Sequence, residues 1–129
     1  MPSVTVMANT EIALKEAMMI EGALGVALVD VNSGMVLGVM GGGKDLDLAV
    51  AGAGNTDLVR AKLRVMEMLG LQGAIEDILT TLTSQYHVIR PLTAQSGAGL
   101  FLYLVLDRKR ANLALARRQL QQVEAGLDL

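Results

Sequence analysis

The run "LFLYLVLD", Leu100 to Asp107, is apolar at every position but the last. The longest apolar stretch around it, Gly97 to Leu106, is far short of the about 20 residues a membrane helix needs. A continuous apolar run of this length marks a strand covered on both faces, where an alternating run would mark one covered on a single face. A chain with such a strand has to enclose it, with strands beside it and helices above and below. A second run, "LGVALV", is of the same kind. Both belong at the centre of a sheet, side by side.

The rest of the chain supplies the enclosure. "IEGALGVALVDVNSGMVLGVMGG" reads as a hairpin whose strands, Leu24 to Asp30 and Met35 to Val39, meet at Val31-Asn32-Ser33-Gly34. A type I turn closed by a left-handed glycine fits that loop. Before it, Asn9 and Thr10 offer a cap for a helix over about Thr10 to Met19, with Ile12, Ala13, Leu14 and Ala17 near one face. After it, Leu48, Ala51, Leu58, Ala61, Val65 and Leu69 recur at helical spacing over about Asp45 to Leu69. Gly70 suits the stop. Gly52 and Gly54 weaken this helix by up to about 1 kcal/mol each. "DILTTLT" and "YHVIRPL" form two further strands joined at Ser84-Gln85, and "TAQSGAG" turns the chain into the central strand. Asp107 is placed to cap a last helix over about Arg108 to Glu124, with Leu113, Ala116, Leu120 and Val123 on one face.

The expected order is α-β-β-α-β-β-β-α in one domain, residues 1–129, with an ordered core of about 10–124. Putting the two most apolar strands together gives an α+β fold with a five-stranded antiparallel sheet of order 2-1-5-4-3. "DILTTLT" is then an edge, with Ile78, Leu79 and Leu82 apolar and no Pro or Lys to blunt it. Pairing with a second copy through Asp77, Ile78, Leu79, Thr80, Thr81, Leu82 and Thr83 is the economical way to cover it.

Composition narrows the function. A chain of 129 residues, 52% apolar with mean hydropathy +0.44, fills one core, built from Leu, Val, Ile, Ala and eight Met. Net charge −2, pI about 5.3 and 2% aromatic residues argue against a nucleic-acid binder. No cysteine is present, so disulfides and thiolate chemistry are excluded. Met1 to Asn9 lacks the basic start and apolar run of a signal peptide, and a cytoplasmic protein without membrane insertion is expected.

"GVMGGGKD", Gly38 to Asp45, matches G-x-x-x-x-G-K but has Asp45 where a phosphate-binding loop needs Ser or Thr for Mg²⁺. Its preceding strand is the return arm of a hairpin, whereas the phosphate loop belongs to a parallel βαβ unit. A glycine-rich turn into an acidic helix start is the better reading. The acidic Asp45 and Asp47 complement the helix dipole and are too few for a Ca²⁺ site. His87, the one histidine, lies mid-strand beside Tyr86 with no nucleophile indicated. Arg108, Lys109 and Arg110, with Arg117 and Arg118 beyond, form a basic cluster that suits an acidic partner and opposes the dipole of a helix starting there. No catalytic, cofactor or metal site is expected.

The hairpin "GVALVDVNSGMVLGV", the strand "YHVIRPL" and the segment "LFLYLVLDRKRANLALARRQL" together resemble the roadblock / dynein-light-chain (light chain seven) domains, which are longin-like and profilin-like. The resemblance runs from about Thr10 to Gln122 and is similar in detail to members of actinobacterial conservon clusters. It implies a non-enzymatic dimer that joins third strands into one sheet, with the second helices side by side. It also implies a role as regulator or scaffold for a Ras-like small GTPase, with a sensor-kinase-like protein as a further partner and any membrane association arising through partners. The solvent side of the second helix is then the docking face. Asp45 at its start, and Gly52, Asn55, Arg60, Lys62, Arg64 and Glu67 along it, are the positions expected there. The small residues Ala49, Ala51, Gly52, Ala53 and Gly54 serve either a close approach by that partner or close packing on the helix's own sheet. The competing reading is a small-ligand sensor of the profilin, PAS or GAF kind, which requires a pocket in the monomer.

Overall fold

The computed structural model of the chain describes residues 4–93 and 99–127, the first five of these by backbone only. The elements are α1 (Val4–Met18), β1 (Ala23–Asp30), β2 (Val36–Gly41), α2 (Leu48–Leu69), β3 (Ile78–Thr81), β4 (Gln85–Pro91), β5 (Leu100–Asp107) and α3 (Leu113–Ala125). One antiparallel sheet of order β2-β1-β5-β4-β3 holds all the strands, as the two apolar runs required.

The central strand is enclosed on both sides. Leu102, Leu104 and Leu106 face a core shared with Leu14 and Ala17 of α1, Ile20 just past its end, and Ala116, Leu120 and Val123 of α3. The alternate residues Phe101, Tyr103 and Val105 face the other way, into a core with Val59 of α2, Ala27, Val29 and Ile89. All six of these side chains are at most 1% exposed. Each such burial contributes about 1.5–3 kcal/mol for a large apolar side chain, so β5 carries a large share of the driving force.

The hairpin turn forms as its residues dictate. Gly34 is left-handed at φ 75°, its N–H donates to the Asp30 carbonyl (2.8 Å), and the Asp30 side chain accepts from the N–H of Asn32 (2.8 Å). The register slips between Leu28 and Val29, which pair with Gly38 and Val36 and leave Leu37 as the extra residue.

Helix starts differ from the sequence reading. Helix α1 begins at Val4, before the expected Thr10, and Thr10 is a buried residue within it. Helix α2 begins at Leu48, capped by the Asp47 carboxylate, which accepts from the N–H of Val50 (3.1 Å). Gly70 ends it in the left-handed conformation, as expected. Helix α3 begins at Leu113, with Asn112 as its cap in place of Asp107 (3.1 Å to the N–H of Leu115). Asp107 instead closes a turn, accepting from the N–H groups of Arg110 and Ala111 on its carbonyl and of Lys109 on its side chain. The basic triplet therefore precedes the helix, and its conflict with the dipole disappears. The expected turn "TAQSGAG" falls largely on residues 94–98, outside the described residues.

Two ion pairs fasten α3 to the sheet. Arg90 on β4 donates to Glu124 (2.6 Å), whose other oxygen accepts from the N–H of Thr93 (2.8 Å); both charged side chains are largely buried. Arg117 meets Asp77 at 2.6 Å.

Candidate functional site

The glycine-rich loop after β2 is not built to hold phosphate. Its strand is antiparallel to β1, and the N–H groups a phosphate would need are already engaged. That of Gly42 donates to Leu24 (2.8 Å), that of Gly43 to Leu46 (3.2 Å), and that of Leu46 to Gly43 (3.1 Å). Gly41 and Gly42 are there for their positive φ, at 75° and 78°. Lys44 and Asp45 sit exposed on the small turn.

His87 is part of a polar group beneath α2. Its Nδ1 lies 3.0 Å from the Tyr103 hydroxyl and its Nε2 2.9 Å from the Gln85 side-chain oxygen, and Asn55 of α2 bonds the same tyrosine. Burial pushes the imidazole pKa below its ordinary value and that of Tyr103 above. Tyr103 donating to Nδ1 and Nε2–H donating to Gln85 satisfies the whole chain with a neutral ring. No local pattern hints that Asn55 and Tyr103 join it, because the three lie on separate elements. Among the described residues, no three acidic or histidine side chains gather as a metal site would require.

The other exceptional surface is α2. Val50, Leu58, Leu63, Val65, Met68 and Leu69 are each more than two-fifths exposed on one helix, beside Leu71 just past its end. Two contacts orient this face. Asn55 points across the sheet towards β5, while Arg60 points the opposite way and donates to the carbonyls of Val31 (2.8 Å) and Asn32 (2.5 Å) at the β1–β2 turn. Residues three and four apart share a helix face. Leu58, Lys62, Val65 and Leu69 therefore follow Asn55 on the flank directed towards β4 and β3. Arg64 and Glu67 follow Arg60 on the flank directed towards β2. Val50, Gly54, Ala61 and Met68 form the crest between.

The residues expected on one docking face are thus divided. Gly52 is a correction: it is buried against the sheet, where an added Cβ would stand 3.0 Å from Val29 and 3.2 Å from Val36. Asn55 is half-buried on Tyr103, and Arg60 is committed to the β1–β2 turn, with Asp57 3.8 Å away. Lys62, Arg64 and Glu67 are exposed, on opposite flanks. Gly54 is exposed and has open space around it. Of the two purposes weighed for the small residues, packing on the helix's own sheet is what Gly52 does, whereas Gly54 simply faces outward.

Edge strand β3 spans four residues, shorter than the expected Asp77 to Thr83. Leu79, Thr80 and Thr81 are exposed, Leu82 and Thr83 belong to the turn into β4, and the Asp77 side chain is held by Arg117. The N–H of Leu82 bonds Gln85, so by alternation Thr80 and Ile78 bond β4 while Leu79 and Thr81 direct their backbone groups outward.

An apolar groove of about 280 Å³ lies between the last turns of α2 and the end of the sheet, walled by Val59, Leu63, Met66, Ile75 and Leu92. Among the described residues, Asn32 and Thr93 are the polar side chains lining it, few for orienting a small ligand.

An apolar flank of α2 is thus directed towards the same side of the sheet as its edge strand β3. Solved structures share this architecture. The MglB protein of Myxococcus xanthus superposes with TM-score 0.75 at 16% identity, over 98% of this chain and 94% of that one. The gliding protein MglB of Thermus thermophilus gives 0.80 at 17% identity, over 98% and 90%. A Roadblock/LC7 domain from Streptomyces avermitilis gives 0.71 at 15%, over 86% and 87%. The fold is that of the roadblock/LC7 domains, as the sequence resemblance implied. No family model and no curated protein matches the sequence.

Proposed function

We propose that the chain is a non-enzymatic homodimeric regulator or scaffold for a Ras-like small GTPase. The observation that carries it is the exposed apolar flank of α2, Leu58, Val65 and Leu69, on the same side of the molecule as the unpaired edge β3. At 42%, 43% and 66% exposure these side chains forgo roughly half of the about 1.5–3 kcal/mol that full burial of each would give, and a twofold partner covers both features at once. Helix α2 then meets its own copy, with Gly54 and Ala61 on the crest allowing close approach. The likeness to MglB and to a roadblock/LC7 domain supports the family reading, and the GTPase partner comes from the roadblock resemblance.

In such a dimer the β2-directed flank of each α2 stays open. Arg64 and Glu67 there, with Asp57, offer charges of both signs that orient a partner and set its on-rate. Titrating the dimer with a GTP-loaded Ras-like GTPase of the same cell should give two chains per GTPase. Arg64→Glu with Glu67→Lys should leave the dimer intact and weaken binding at least about tenfold, some 1.4 kcal/mol. Unchanged affinity in that double variant would move the docking site off α2.

A further inference from the structure

The sheet has a second edge, and β3 leaves it unanswered. Strand β2 is six residues long against four for β3, and no charged residue or proline lies between Met35 and Gly43. Met35, Leu37 and Val39 are 62%, 41% and 47% exposed along it. The N–H of Gly42 bonds Leu24, so by alternation Met40 and Gly38 bond β1 while Val39 and Gly41 direct N–H and C=O away from the sheet. The single bulge, at Leu37, lies at the start of the strand and leaves Gly38 to Gly41 in regular register. Beside Val39 a groove of about 390 Å³ opens between the end of β2 and the start of α2, walled by Leu46, Leu48, Ala49 and the turn bearing Lys44.

We propose that β2 is a binding edge for an extended strand of another protein, apolar at alternate positions. The inference rests on the β3-paired dimer for its choice of occupant. The outward backbone groups of Val39 and Gly41 specify the backbone of that occupant, since they are satisfied in register only by another strand. Leu37 and Val39 specify its apolar side chains, and the groove gives one of them a seat. A second copy of this chain gives no closed assembly. Pairing through both β3 and β2 would join dimers end to end without closure, giving a growing sheet. The paired dimer thus ends in two identical β2 edges and takes two strands.

The test uses the full-length chain, ¹⁵N-labelled, and a short blocked peptide alternating Val and Thr with a Lys at each end. Amide shifts should move at Val39 and Gly41 and saturate at one peptide per chain. Val39→Lys, which keeps the β1 ladder, should weaken binding at least about tenfold; Leu37→Lys is the second variant should the first fold poorly. Shifts confined to Ile78–Thr81 or to α2, unchanged affinity in the Lys variants, or no shifts at millimolar peptide would overturn the proposal. So would assemblies longer than a dimer that Val39→Lys dissolves, since the occupant would then be a second copy. Sedimentation of the peptide-free chain judges the dimer separately: a monomer whose β2 amides still shift retires the dimer and keeps the strand site.

Discussion

Two glycines two residues apart on α2 show how much one side chain's surroundings decide. At Gly54 an added Cβ meets nothing within 4 Å, so Gly54→Ala gains helix propensity alone. It should raise stability by about 0.5–1 kcal/mol, read from urea unfolding of a dissociated, dilute sample. At Gly52 the wall of Val29 and Val36 leaves no such room. Gly52→Leu should cost about 1–3 kcal/mol through overpacking. The sequence reading puts Gly52 on the solvent side and is mistaken there, because which glycine faces the sheet depends on a rotation of the helix that shows only in distant contacts, Asn55 to β5 and Arg60 to the β1–β2 turn. His87 carries the residue-scale pH dependence. Burial lowers its pKa in the folded chain below the ordinary 6.5, and Gln85, Tyr103 and Asn55 around it are uncharged at neutral pH. Between the two values the unfolded chain binds a proton that the folded chain does not, so stability is full above about pH 6.5 and declines as pH falls through that window. Urea midpoints measured across this range should show the decline in the wild type and a shallower one in His87→Gln.

At the scale of elements, the strands and α2 were legible and the helix starts were not. A turn such as Asn32-Ser33-Gly34 and a stop such as Gly70 announce themselves through the φ they require. A cap is chosen among several polar residues by where tertiary packing lets the helix begin. Asp107 and Asn112 both qualify, and the choice went to Asn112 because Asp107 is held in β5 and in the turn after it. The same limit hid the tie between α3 and β4. Arg90 and Glu124 are 34 residues apart, and neither belongs to any local pattern. Removing one partner leaves a buried charge, so Arg90→Met should cost about 3–5 kcal/mol, whereas Arg90→Met with Glu124→Met should cost far less. Thermal unfolding of the two variants side by side tests this: equal losses would show that Glu124 left without Arg90 carries no penalty.

At the scale of the whole molecule, the sheet order followed from one inference, that the two continuous apolar runs lie side by side. β5 bears it out, with both faces closed and a neighbour on each edge. The candidate site was only partly legible. The apolar periodicity of the second helix implies a buried face, yet several of its apolar positions are in water, and only the folded chain shows that Leu58, Val65 and Leu69 look towards β3. That surplus of apolar surface is the basis for reading the chain as half of a dimer. Sedimentation equilibrium at tens of micromolar, a range set around ordinary micromolar affinity, tests it most directly. The wild type should sediment as two 13.6-kDa chains. Thr81→Pro, which removes an outward N–H of β3, and Leu58→Glu with Leu69→Glu should each give folded monomer by circular dichroism. A monomeric wild type, or a dimer that survives both changes, would contradict the paired-strand dimer.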